Sequence, residues 1–101
     1  MSTDTDVIID EKIKVDKKEP SLYKVLMLND DKTPMDFVIG LLIELFKHTE
    51  TTATDITLQI HEKGSGVVGV YSYEIAEQKA LEATNISRDN GFPLRLRVEQ
   101  E

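Results

Sequence analysis

Cysteine is missing altogether from the 101 residues, and basic side chains are scarce, with 12 lysines and arginines against 19 acidic residues. Without cysteine there is no disulfide and no thiolate metal site, which is compatible with a reducing compartment. The shortage of basic residues leaves a net charge of -7 and argues against a nucleic-acid surface, since such surfaces cluster Lys and Arg around phosphates. Cationic ligands suit this balance better. Long apolar runs are also lacking, so no segment approaches the length of a membrane-spanning helix. The start, Met1-Ser2-Thr3-Asp4-Thr5-Asp6, carries no basic leader, and Val7-Ile8-Ile9 is too short for a signal core. A cytoplasmic protein is therefore expected. The hydrophobic content of 40% is enough for one small domain and too little for two.

Residues 1–19 are charged, lack periodicity and stop at Pro20, which reads as a flexible extension ahead of a folded domain over 20–101. Tyr23 to Leu28 is a mostly apolar run free of glycine and proline, as a largely buried strand requires. Phe37, Leu41, Leu42 and Leu45 then share one face of a helix predicted from Pro34 to about Phe46. A second helix is predicted from the low fifties to Glu62, with Ala53, Ile56 and Ile60 inward and Gly64 as its stop. Val67 to Tyr71 reads as a strand after the Gly64-Ser65-Gly66 turn. Ser72 can cap a third helix whose inward face carries Ala76, Ala80, Ala83 and Ile86, and which Asn90-Gly91 ends. Leu94, Leu96 and Val98 alternate with Arg95, Arg97 and Glu99, the period of a final strand with one buried face. The order strand, helix, helix, strand, helix, strand predicts an α+β domain, three helices packed on a small three-stranded antiparallel sheet.

Between the first strand and the first helix lies Leu28-Asn29-Asp30-Asp31-Lys32-Thr33-Pro34-Met35. Thr33 can cap the helix, Pro34 fits its first turn, and Asp36 sits three places after the cap. Those roles leave Asn29, Asp30 and Asp31 concentrated and unexplained. Such a turn can hold a cation beside an apolar wall. Asn29 offers an amide oxygen and Asp30 a carboxylate, and His61 adds an acceptor when one ring nitrogen is unprotonated. An unblocked protein N-terminus is a cation of this kind, its α-ammonium having an unperturbed pKa of ~7.7 to 8.0.

The stretch "YKVLMLNDDKTPMDFVIGLL" strongly resembles the ClpS family, small bacterial and plastid adaptors that bind proteins by their N-terminal residue and hand them to a Clp unfoldase. Similarity continues through "IHEKGSGVVGVYSYEIAEQKA" and "DNGFPLRLRVE", in register from about Pro20 to about Val98. The resemblance implies that Asn29, Asp30 and His61 hold the ligand's α-amino group, directly or through water. It implies that Asp31, Thr33 and Pro34 complete the loop, with Thr33 touching the ligand backbone. Met35, Val38, Thr57 and Leu94 match the family's apolar pocket for Leu, Phe, Tyr or Trp. Thr57 departs from the pattern, since the family commonly has a larger apolar residue there. A roomier or reshaped pocket, more tolerant of Ile or Val, is the expected consequence.

Glu74 and Lys79 match positions that contact the N-terminal domain of the unfoldase, of the ClpA or ClpC kind. They are five apart, too far round a helix for an ordinary pair, and a solvated helix face is the plainer reading. His61 can likewise serve only the carbonyls at a helix end, and His48 reads as a surface residue. The resemblance gives the extension over 1–19 a part in substrate transfer, whereas its composition fits a passive solubilising segment equally. The remaining partners implied are substrate proteins or peptides with an N-terminal degron. No nucleic acid, membrane, metal or organic cofactor is implied, and a monomer is expected.

Other classes fit less well. Asn29, Asp31 and Thr33 alternate like the start of an EF-hand loop, but Pro34 and Gly40 stand where glycine and glutamate are needed. Catalysis by His61 and Asp30 lacks a nucleophile in a suitable context and a second histidine at metal spacing. A structural, ribosome-associated α+β domain stays open, because a fold does not dictate its function.

Overall fold

The computed structural model describes residues 21–101. The extension expected over 1–19 lies outside them. The elements are β1 (Tyr23–Leu28), α1 (Met35–Glu44), α2 (Glu50–Lys63), β2 (Ser65–Tyr71), α3 (Tyr73–Asp89) and β3 (Arg95–Gln100). The expected α+β order of strands and helices is thus observed. In the sheet β1 lies at the centre, antiparallel to β2 on one side and to β3 on the other.

β1 takes the central place because it carries the run of residues best suited to burial. Val25 and Met27 point inward with no exposed surface, and no proline interrupts a strand that must donate to both neighbours. Just before β3, Leu94 is fully packed, and from β3 Leu96 and Val98 lean on the same core. Leu41, Leu42 and Phe46 from α1, Ala53 and Ile60 from α2, and Ala76 and Ala83 from α3 complete it.

One irregularity shapes β2. Val25 pairs with Gly69 but Leu26 pairs with Val67, which leaves Val68 as the extra residue of a β-bulge. The Val68 carbonyl accepts a hydrogen bond from His48 Nε2 at 2.6 Å, and His48 is partly buried. His48 is therefore not the surface residue expected, but the partner of a carbonyl at the bulge.

Helix boundaries differ from the expected ones in instructive ways. Pro34, not Thr33, occupies the N-cap of α1, without a side-chain cap. Thr33 is drawn instead to Asp30, as described below. α1 ends at Glu44, two residues before Phe46, and Lys47 turns the chain with a left-handed φ of 63°. α2 starts from Thr49, whose hydroxyl accepts from the Thr52 amide at 3.2 Å, and stops at Gly64, whose φ of 92° suits glycine. Ser72 stands at the N-cap of α3 but makes no side-chain cap bond. On α3 the expected inward Ile86 is 40% exposed, and Ser87 is buried in its place. The inward series is Ala76, Ala83 and Ser87, all buried, with Ala80 partly buried between them, closer to the 3.6-residue period, and Ser87 Oγ satisfies itself on the Ala83 carbonyl at 2.8 Å. Among the described residues no helix is long and apolar enough to cross a membrane.

Candidate functional site

The loop that leaves β1 folds around one carboxylate. Asp30 Oδ1 accepts from the backbone amides of Lys32 and Thr33, both at 2.8 Å. The Thr33 hydroxyl reaches both oxygens, 3.0 Å from Oδ1 and 2.8 Å from Oδ2. This is an aspartate-centred turn, in which a side chain takes the place of a backbone acceptor. The loop is fastened to the end of α2 by the Asn29 amide, which donates to the Gly64 carbonyl at 2.9 Å. Oδ1 thus meets three donors, while Oδ2 meets only the shared hydroxyl. A carboxylate has about four lone-pair sites, so Oδ2 is the oxygen with capacity for an outside donor.

Partial desolvation pushes the Asp30 pKa upward. The Thr33 hydroxyl, the Lys32 and Thr33 amides and the positive field of Arg88 outweigh it, and the net shift is downward from 3.8. Asp30 is consequently a fixed anion at neutral pH, held by its own loop.

Beside this anion opens a small cavity. Asn29, Asp30, Thr33, Met35, Val38, Thr57, His61 and Leu94 line it, together with Leu28 and Ile60. Asp31 and Pro34 are not in the lining; Asp31 is exposed, and Pro34 stands at the N-cap of α1. Eight residues singled out from the sequence are therefore brought together from the loop, two helices and the segment before β3. Leu28 and Ile60 were missed as site residues. Adjacency to Asn29 and His61, and in the case of Ile60 its inward helical position, were the available signals.

The cavity has a polar rim and an apolar wall. Val38, Thr57, Ile60 and Leu94 are buried, whereas Met35 is 38% exposed. Thr57 keeps the wall apolar despite its hydroxyl, which donates to the Ala53 carbonyl of its own helix at 2.8 Å. Its methyl is the group left for the cavity. His61, in the last turn of α2, is exposed, and among the described residues its ring makes no hydrogen bond, so it is not spent on helix-end carbonyls. The open space is about 20 Å³, room for about one water molecule. Of the apolar wall residues, the unbranched Met35 is the most exposed and most adaptable.

Glu74 and Lys79 lie apart from this lining, on α3. Glu74 is exposed in the first turn. Lys79 is not a free surface charge: its Nζ donates to the Leu45 carbonyl at 3.0 Å and lies 5.9 Å from the centre of the Tyr71 ring. It ties α3 to the end of α1, where helix carbonyls lack partners of their own.

Fold and site together define a small α+β domain in which an anionic turn adjoins an apolar cavity. Residues 18–97 match the family model described as ATP-dependent Clp protease adaptor protein ClpS. The ATP-dependent Clp protease adapter protein ClpS of Gluconobacter oxydans is 46% identical over 84 residues, 83% of this chain and 71% of the relative. That of Acetivibrio thermocellus is 46% identical over 94 residues, 93% of this chain and 95% of the relative. Among solved structures, Agrobacterium tumefaciens ClpS2 bound to L-phenylalaninamide superposes with a TM-score of 0.80 at 44% identity, covering 82% of this chain and all of the other. The chain belongs to the ClpS family of Clp protease adaptors. It is placed by that membership among adaptors and not among enzymes.

Proposed function

We propose that this protein recognises polypeptides by a free α-amino group on a bulky hydrophobic first residue and delivers them to a Clp AAA+ unfoldase for degradation. The observation that carries the reading is the junction of the Asp30 turn with the apolar cavity. An N-terminal residue of this kind offers an ammonium and a hydrophobic side chain on one carbon, and the junction matches both at once. Oδ2 of Asp30, the Asn29 side chain and His61 take the ammonium; Met35, Val38, Thr57 and Leu94 take the side chain. The ligand named for the Agrobacterium structure, L-phenylalaninamide, has this chemistry, with an amide standing where the next peptide bond would begin.

Magnitudes require both halves. Burial of one large apolar side chain yields about 1.5 to 3 kcal/mol. A hydrogen bond to a charged group contributes about 1.5 to 3 kcal/mol. Micromolar affinity needs about 8 kcal/mol. Side-chain burial without the bonds to the ammonium reaches at most about 3 kcal/mol, so internal leucines and acetylated termini bind poorly. Thr33 then supports the ligand backbone only through lone pairs left over from Asp30, and Asp31 contributes field, not contact. On this reading residues 20–101 are the adaptor core and 1–19 serve delivery. Glu74 is the stronger candidate for docking to the unfoldase N-terminal domain, because Lys79 already has an internal partner.

The test is a titration of isotope-labelled protein with L-phenylalaninamide and with its N-acetyl derivative. Saturable shifts at Asn29, Thr33 and Leu94 with the free amine alone are expected. Equal responses to both compounds, or shifts elsewhere, overturn the assignment.

A further inference from the structure

Among the buried residues of the cavity wall, Val38, Thr57 and Ile60 stand on helices, and Leu94 alone stands on irregular backbone. Something must fix it. Arg88, in the last turn of α3, donates through Nη1 to the Phe92 carbonyl at 3.1 Å and to the Leu94 carbonyl at 2.7 Å. The Phe92 amide donates to the Ser87 carbonyl at 2.9 Å, so the segment Phe92-Pro93-Leu94 hangs from the end of α3 by three bonds, two of them from one guanidinium nitrogen. Pro93 has no amide hydrogen with which to hold itself. On its other side the segment rests on Phe37 of α1, whose ring meets that of Phe92 edge-on at 4.9 Å.

We propose that Arg88 is a specificity-determining positioning residue, which sets the depth and shape of the side-chain cavity by holding Leu94 against it. The inference rests on the terminus-recognition reading for its functional consequence, but the positioning itself does not need a ligand. A planar fork with several donors can serve two carbonyls at fixed angles, whereas an ammonium on a flexible stem holds neither in a defined plane. Arg88 also lies close enough to Asp30 to help keep it ionised. That effect separates from the first: at neutral pH Asp30 stays an anion without Arg88, and removing a cation does not weaken attraction for an ammonium. Loss of Arg88 should therefore damage discrimination among side chains and spare discrimination between free and blocked termini.

The experiment compares the full-length protein with Arg88→Met, which keeps the stem and loses the donors, and Arg88→Lys, which keeps the charge. Two readouts are taken. In the unliganded protein, methyl resonances of Leu94 are followed against those of Leu42 in the core. In binding, affinities are measured for Leu- and Ala-initiated peptides, each free and acetylated. In Arg88→Met the Leu94 methyls should move while Leu42 stays in place, and the preference for Leu over Ala should fall by about tenfold with the free-to-acetylated ratio unchanged. Arg88→Lys should recover the preference only in part. Unmoved Leu94 methyls, an unchanged Leu-to-Ala ratio, or equal disturbance of Leu94 and Leu42 overturn the proposal, the last by making Arg88 a general stability residue. Failure of the terminus reading looks different: the native protein would then bind free and acetylated peptides alike, and the Leu94 methyls would still decide the role of Arg88.

Discussion

The hydroxyl of Thr33 lies 2.8 Å from Oδ2 and 3.0 Å from Oδ1 of Asp30, three residues earlier in the chain. A threonine in this position ahead of a proline looks like a helix cap, yet it turns away from the helix and toward the carboxylate. Charge explains the choice. A bond to an anion is stronger than one to a neutral amide, and Pro34 already supplies the backbone angle from which α1 can start. The result is an acidic acceptor whose orientation is fixed before any ligand arrives.

Replacing Thr33 with Val should remove the hydroxyl bond and let the Asp30 pKa rise toward its ordinary value. Because the folded-state pKa lies below 3.8, the bond's contribution to stability is present above that value and disappears as pH falls through the lowered one. The native protein should exceed Thr33→Val by about 1 kcal/mol at pH near 7. The gap should close in strong acid. Denaturant titrations at both conditions check this, and a gap that is the same at each pH would exclude Asp30 as its source.

Asp30→Asn separates charge from shape. The amide oxygen can still accept from the Lys32 and Thr33 amides, so the turn survives, while the anion is lost. Affinity for a free-terminus peptide should drop by about 2 kcal/mol, or some thirtyfold. Affinity for the acetylated form should not change. Anisotropy titrations of both peptides give the answer.

Thr57→Met adds bulk to a cavity of about 20 Å³. The lost hydroxyl bond to Ala53 leaves no orphan, since that carbonyl belongs to the helix ladder in any case. Peptides beginning with Ile or Val, branched next to the backbone, should lose more affinity than those beginning with Leu. The expected widening of the difference is about tenfold. Identical preferences in the two proteins would remove Thr57 as a source of specificity.

On α3, Glu74→Lys should weaken binding to an isolated unfoldase N-terminal domain without changing peptide affinity or melting temperature. Lys79→Glu should do more. It breaks the bond to the Leu45 carbonyl and places a negative charge at the end of α1, where carbonyls already carry partial negative charge. A fall in melting temperature is expected alongside any docking defect. An unchanged melting temperature in Lys79→Glu would show that the Leu45 bond carries no stability.

Much of this was legible in the sequence because local signals and tertiary need agree. β1 coincides with its apolar run, Gly64 ends α2 in the left-handed conformation, and β3 alternates as its pattern demands. The loop residues were conspicuous for being unused by the helix. What escaped were contacts made across the fold. His48 answers a carbonyl at a bulge twenty residues away, and no spacing within its own segment announces that. Lys79 spans 34 residues to Leu45, and Arg88 acts through carbonyls that any sequence would possess. Ile86 was placed inward by a stripe of alanines, when one further residue brings Ser87 onto the same line. A small serine that bonds its own helix is easily mistaken for a surface residue.

The most direct test of terminus recognition is a four-peptide cycle, Leu- or Ala-initiated, each with a free or an acetylated N-terminus, measured by fluorescence anisotropy. The expected result is strong binding of free Leu alone, with affinity lost on acetylation and lost again when Leu is replaced by Ala. Equal affinities for free and acetylated Leu peptides would contradict recognition of the α-amino group, and equal affinities for free Leu and free Ala would contradict the apolar cavity as its companion.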